Sequence, residues 1–136
     1  MRPSPICTVA RMRVLNDHEC LELLSSARLG RIALTIRALP IILPVAVATM
    51  DSALVFRVGQ GAISKAADMQ QVVCFEADWA NGGLSVAWSV TAIGQLFTLR
   101  QPSDVARARQ LDLVPWDDEC QTFVALKPQV LSGRSR

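Results

Sequence analysis

The sequence predicts a small, mainly β domain in which about six strands close into a barrel and short helices cover its openings. Three observations carry that prediction. Apolar runs of strand length follow one another through Leu29–Leu34, Leu39–Val47 and Leu54–Val58, with only tight breaks between them. Two later stretches, Gln71–Asp78 and Leu84–Leu99, alternate with the period of two that a strand imposes on its side chains. Helix-favouring segments are few and short, near Glu19–Ala27, Ala62–Met69 and Pro102–Leu111.

In chain order, residues 1–14 read as a loose arm with Pro3, Pro5 and little pattern, and residues 15–136 as one domain. Asn16-Asp17 can cap the first helix, whose apolar side is Cys20, Leu21, Leu23 and Leu24. Gly30 turns the chain into a strand with Ile32, Leu34 and Ile36 on one face. Arg37-Ala38-Leu39-Pro40 reads as a hairpin connection. The strand Ile41–Thr49 is apolar on both faces, so it belongs in a wall covered on both sides. Pro44 cannot donate to a ladder and is expected at an edge or bulge. After the turn Met50-Asp51-Ser52-Ala53, Leu54, Phe56 and Val58 point inward, and Val55 and Arg57 outward. In the next strand Val73, Phe75 and Ala77 share a face. Gly94 marks a bend in the long strand that follows, and Pro102 opens the third helix. Gln121–Leu131 is the last strand, interrupted at Pro128.

The bulk numbers exclude several classes. A chain of 136 residues that is 51% hydrophobic and 19% charged can bury a core as one domain, and is not a disordered one. A net charge of +2 with scattered arginines and no tyrosine argues against a nucleic-acid partner. The apolar stretch Ile32–Val47 is broken by Arg37, Pro40 and Pro44, so it is no membrane helix. Cys7, Cys20, Cys74 and Cys120 form no Cys-x-x-Cys pair, and Cys7, His18 and Cys20 match no familiar zinc spacing. No metal site is expected. Reduced thiols and the lack of a signal segment point to the cytoplasm.

Chemistry has few places to sit. His18 is the single histidine and falls on a surface helix, so no nucleophile–histidine pair is predicted and the catalytic residues stay unknown. The acidic run Asp117-Asp118-Glu119 reads as a solvated loop. The best candidate runs from Phe56 to Lys65. Arg57 and Val58 end a strand, Gly59 and Gly61 permit close backbone approach, and Ser64 and Lys65 offer a hydroxyl and a charge suited to a phosphate. An ordinary strand-to-helix turn is the plainer alternative. Trp88 and Ser89 are open in the same way, and a Trp on an alternating strand is more often core than a ligand platform. Any reactive group would come from a cofactor.

The order Gly30-Arg31-Ile32-Ala33, Leu43-Pro44-Val45, Val55-Phe56-Arg57-Val58, Val73–Asp78, Ala87-Trp88-Ser89-Val90 with Gly94, Pro115-Trp116, and Val124–Pro128 with Ser132-Gly133-Arg134 resembles the pyridoxamine 5′-phosphate oxidase-like family. The resemblance covers nearly the whole chain from about Leu15. It implies a split β-barrel of the flavin mononucleotide (FMN)-binding type. It also implies a homodimer with cofactor sites at the subunit interface and a small-molecule substrate. The flavin ring would lie along Leu43, Pro44, Val45 and Ala46. The phosphate would lie near Phe56, Arg57, Val58, Ser64 and Lys65, with the partner contributing from Trp88 and Ser89. Members commonly carry a cation just after the loop glycine, where this chain has Ala62 and Ile63, and its cation comes later at Lys65. The vitamin B6 oxidases also grip their substrate with C-terminal Arg and His, and no His follows His18. Three functions stay open. They are an FMN-dependent oxidoreductase, a deazaflavin-dependent reductase, and a non-catalytic dimer that binds haem, another ligand or no cofactor.

Overall fold

A computed structural model describes residues 12–115, 119 and 121–136. Seven strands and three helices follow in the order β1 (Arg13–Val14), α1 (Asp17–Ser26), β2 (Leu29–Ile36), β3 (Leu39–Met50), β4 (Ala53–Val58), α2 (Ala62–Asp68), β5 (Val72–Ala80), β6 (Ala87–Thr98), α3 (Pro102–Arg109) and β7 (Thr122–Ser135). Every pairing is antiparallel. The strands run β7-β4-β3-β2-β5-β6, and β6 pairs back onto β7, which closes the barrel.

Local chemistry explains most boundaries. Asn16 caps α1 by accepting the Glu19 N–H at 2.9 Å, and the Glu19 carboxylate accepts the Asn16 N–H at 3.1 Å. Hairpin β2–β3 turns on Arg37-Ala38 and hairpin β3–β4 on Asp51-Ser52, all four with positive φ, the twist a two-residue hairpin requires. Leu39 and Pro40 therefore belong to β3 rather than to the turn. Gly94 sits at a register shift between β6 and β7, where Gly94 pairs with Pro128 and Ile93 with Val130. A Cβ on Gly94 would collide with the Lys127 carbonyl. The bulge absorbs the proline's missing donor, so β7 runs unbroken to Ser135 instead of ending at Leu131. The third helix stops at Arg109, short of Leu111, and β6 starts at Ala87 rather than Leu84.

The arm expected over 1–14 ends sooner. Arg13–Val14 pairs with Arg134–Ser135, and Leu15 is buried in the core. Residues 1–11 lie outside the described residues, as do Cys7, Trp116, Asp117, Asp118 and Cys120.

The barrel interior is filled by Ile32, Leu34, Val45, Val47, Leu54, Phe56, Val73, Phe75, Ala77, Val90, Ala92, Leu96, Val124 and Leu126. Cys20 and Leu24 of α1 and Ile63, Ala66 and Ala67 of α2 join the same cluster. Ile36, expected to face inward, is exposed at the end of β2. A second cluster lies outside the wall, where Ala46, Val55, Phe123 and Ala125 meet Ala108 of α3 and Leu113. Arg107 of α3 donates to both Asp51 carboxylate oxygens, at 2.7 and 2.9 Å, which ties α3 to the β3–β4 hairpin. This second layer explains why β3 is apolar on both faces and why Val55 is buried. Half of that strand's outer face is covered by its own chain, not by a partner. Among the described residues no helix is long and apolar enough to cross a membrane.

Candidate functional site

β3 pairs with β4 only from Val47 to Met50, whereas Leu39–Ala46 pairs with β2 alone. At the parting point the Val47 N–H donates to the Arg28 carbonyl at 3.0 Å. Pro44 lies in this one-sided half, the edge position its missing N–H requires. Leu43 and Val45 pack inward, and Pro44 and Ala46 point outward. Over Ala46 the wall opens into a groove of about 360 Å³ lined by Arg28, Leu29, Ala46, Asp112, Val114 and Pro115. Its floor is apolar. Its rim carries one ion pair, Arg28 to Asp112 at 3.0 Å. Such a groove can hold a flat apolar group and offer charge at its edge.

Arg57 is on the same outer face, two residues beyond buried Val55. Its guanidinium lies 5.6 Å from the centre of the Phe123 ring. Phe56 and Val58 point into the core. The Ser64 hydroxyl is buried; it accepts the Gly61 N–H at 2.9 Å and approaches the Gly61 carbonyl at 3.0 Å. It is engaged in starting α2. Ile63 packs into the barrel core, so a cation there would be a buried charge. Lys65 is exposed on α2.

Trp88 and Ser89 part company, as neighbours on a strand must. Trp88 packs on the core beside α1, in a cleft of about 470 Å³ with Leu15 and Leu23. Ser89 is on the outer face, where its hydroxyl donates to Glu76 at 3.3 Å. Two strands, β2 and β5, separate β6 from β3, so neither residue shares a protomer's groove with Ala46. His18 is exposed beside Glu22 while Cys20 faces the core, so the two do not converge.

The sequence reading missed one cluster on that outer face. Arg31 donates to Glu76 at 2.7 Å and reaches Asp78 at 3.4 Å. The alternation of β2 and β5 puts all three outside, but only the register Arg31↔Glu76 brings them together. Burial pushes the Glu76 carboxyl up, the neighbouring Asp78 adds to that, and Arg31 offsets only part of the rise. One guanidinium serves two carboxylates. A raised folded pKa means the folded chain binds the proton more tightly, so the contribution of Glu76 to stability is fully present below its unfolded pKa and is lost as pH rises through the folded one. Glu76→Gln should remove this fall. Denaturant titrations of both chains between about pH 4 and 7, the range above an ordinary glutamate pKa, should show the variant gaining on the wild type. Parallel curves would show that Glu76 carries no raised pKa.

The architecture is that of the flavin-binding split barrels, a class defined by a closed antiparallel barrel with a parted wall. The family described as pyridoxamine 5′-phosphate oxidase matches residues 16–135, and the chain belongs to it. The chain is similar to an uncharacterized Mycobacterium tuberculosis protein, 33% identical over 125 residues that span 88% of this chain and 82% of the other. It is similar to the FAD binding protein of Mycobacterium smegmatis, 31% identical with a TM-score of 0.78, over 91% of this chain and 99% of that one. A conserved protein of unknown function from Corynebacterium diphtheriae is 25% identical with a TM-score of 0.75, over 91% and 97% of the two chains.

Proposed function

We propose that the chain is a flavin-dependent oxidoreductase acting on a small molecule, with FMN as the simplest cofactor and a homodimer as the working unit in the cytoplasm. The observation that carries the reading is the apolar groove over Ala46, at the split between β3 and β4, with Arg57 on the same face of the wall. The residues fit the group. Leu29, Ala46, Val114 and Pro115 suit a flat ring, with Leu43, Pro44 and Val45 setting the backbone beneath it. Arg57 and Lys65 supply charge for a phosphate. When bound, a flavin supplies hydride or electron transfer. The protein's part is to hold the ring, exclude water from one face and bind the charged tail. The dimer would bring a partner's Trp88–Ser89 strand toward the groove, which one barrel cannot do. The missing C-terminal histidine keeps pyridoxamine 5′-phosphate itself outside this proposal.

Purified protein should bind FMN in fluorescence titrations, and Arg57→Ala should weaken it about tenfold, the value of one charge-assisted hydrogen bond. Riboflavin, without the phosphate, should change little. Equal FMN affinity in wild type and Arg57→Ala would move the phosphate elsewhere. A second reading is favoured by buried Ile63, which removes a cation from the start of α2. In it the groove holds a deazaflavin, or the dimer is a non-catalytic binder of haem or another ligand. The absorbance spectrum of fresh protein separates the two, since flavin bands support the first reading and a Soret band the second.

A further inference from the structure

We infer that Asn81-Gly82 is a self-modifying site, at which the Gly82 backbone nitrogen displaces the Asn81 amide and water opens the resulting ring to aspartate or isoaspartate. The inference goes beyond the flavin reading and does not depend on it. Asn81 and Gly82 open the loop that joins β5 to β6. Gly82 has no positive φ, and a Cβ on it would meet nothing within 4 Å. Neither the backbone nor the packing therefore calls for glycine there. What glycine supplies is an unshielded nitrogen beside the Asn81 side chain.

The loop arranges the Asn81 carboxamide for attack. Its Oδ1 accepts the Ser85 N–H at 2.9 Å and the Val86 N–H at 3.2 Å, so the side chain is turned over the loop that Gly82 begins. Those two donors face the oxygen that takes up negative charge when Cγ becomes tetrahedral. Nδ2 donates to the Ser85 hydroxyl at 2.7 Å. A planar amide nitrogen only donates. A tetrahedral one gains a lone pair, so the same contact can run in reverse and deliver the Ser85 proton. In the balanced step the Gly82 N–Cγ bond forms and the Cγ–Nδ2 bond breaks. The Gly82 proton leaves to water, and Nδ2 departs as ammonia with the proton from Ser85, which water restores. No oxidant or cofactor is needed. Aspartate keeps both backbone bonds to Oδ1 and adds a charge. Isoaspartate runs the main chain through the side chain. The Asn81 carbonyl that accepts from the Leu84 N–H at 3.0 Å then leaves the backbone. Leu84, at a φ of 55°, loses the bond that holds its strained conformation, and the loop opens.

The test is to age the full chain in mildly alkaline buffer and follow residue 81 by peptide mapping and mass spectrometry, with thermal melts on each fresh variant. The wild type should accumulate both isoaspartate and aspartate there. Gly82→Ala should keep the melting temperature, because the added Cβ has open space. It should nevertheless slow conversion about tenfold or more, since a small misplacement of the attacking atom is costly. Ser85→Ala should also slow it about tenfold or more, as loss of a positioned proton donor does. If the hydrogen bonds merely clamp the turn, Ser85→Ala converts as fast as the wild type or faster, and that result overturns the inference. A wild type that keeps its asparagine overturns it too. So would aspartate without isoaspartate, or undiminished conversion in Gly82→Ala, because either means that water attacks the amide directly.

Discussion

A chain carrying Phe75→Ala is expected to lose about 3–5 kcal/mol of folding stability, the usual result of truncating a buried phenylalanine. Phe75 is fully buried on β5 and packs its ring 5.4 Å from that of Phe56 on β4, at an angle of 40°. Those two rings cross the barrel interior, so the cavity would open at its centre, where a closed ring of strands cannot collapse. Gly30 shows how tightly the ring is held. A Cβ there would overlap the Phe75 ring and press on the Glu76 carbonyl, so β2 approaches β5 only because residue 30 has no side chain. A loss of this size is a large share of the roughly 5–15 kcal/mol a domain has. It should lower the melting temperature by roughly 10–20 °C. The comparison must be made at one protein concentration, since association would also shift the midpoint. A loss below about 1 kcal/mol would mean that the interior repacks freely.

What was legible beforehand follows from the range over which each signal acts. Alternation along a single strand is local, so the inward faces of Val73, Phe75 and Ala77 and of Leu54, Phe56 and Val58 could be read directly. The Asn16 cap and Pro102 at the start of α3 were legible for the same reason. The turns were harder. Arg37-Ala38 and Asp51-Ser52 take positive φ without glycine, so the position of each hairpin was clear and the strand ends beside it were not. Pro128 looked like a break because its acceptor-only backbone usually ends a strand. The bulge that accommodates it is made by Gly94, more than thirty residues away, through a register that no local pattern encodes.

The site divides the same way. The outward place of Arg57 on β4 could be read from the alternation of Leu54, Phe56 and Val58. The Ser64 hydroxyl, which turns back to Gly61, could not be told from a free one. Arg28 and Asp112 were invisible, because two unremarkable surface charges 84 positions apart acquire meaning only when β2 and the segment after α3 face each other across Ala46. The two-faced apolarity of β3 was read correctly, but its cause was only half inferred. The outer cluster that includes Ala108 of α3 takes in Ala48 and Met50, and Ile42 is left exposed. The exposed apolar surface that a partner could cover is instead a row that crosses the sheet.

That row sets the last expectation, that Ile93→Arg will turn the protein into a monomer. Ile42, Ala33, Cys74, Ile93 and Val130 are cross-strand neighbours on β3, β2, β5, β6 and β7, and all point away from the core. Ile42 is 67% exposed, Val130 55% and Ile93 39%. An open groove of about 530 Å³ runs beside them, lined by Ala33, Thr35, Pro40, Val72, Cys74 and Ile93. A contiguous apolar band of this kind is more than a monomer usually leaves in water. In a twofold dimer each residue of the contact occurs twice, so one substitution places two like charges in the interface. The cost should be about 3 kcal/mol or more, which is about a hundredfold or more in the dissociation constant. The interior should be untouched, because Ile93 faces outward, and Met69→Arg at the exposed end of α2 serves as the control. Sedimentation at micromolar concentration should give a dimer for the wild type and Met69→Arg, and a monomer for Ile93→Arg. Flavin binding should fall with the dimer, since the partner's Trp88–Ser89 strand would leave with it. A wild type that sediments as a monomer would refute the assembly, and a monomeric Ile93→Arg that still binds flavin at full strength would confine the site to one barrel.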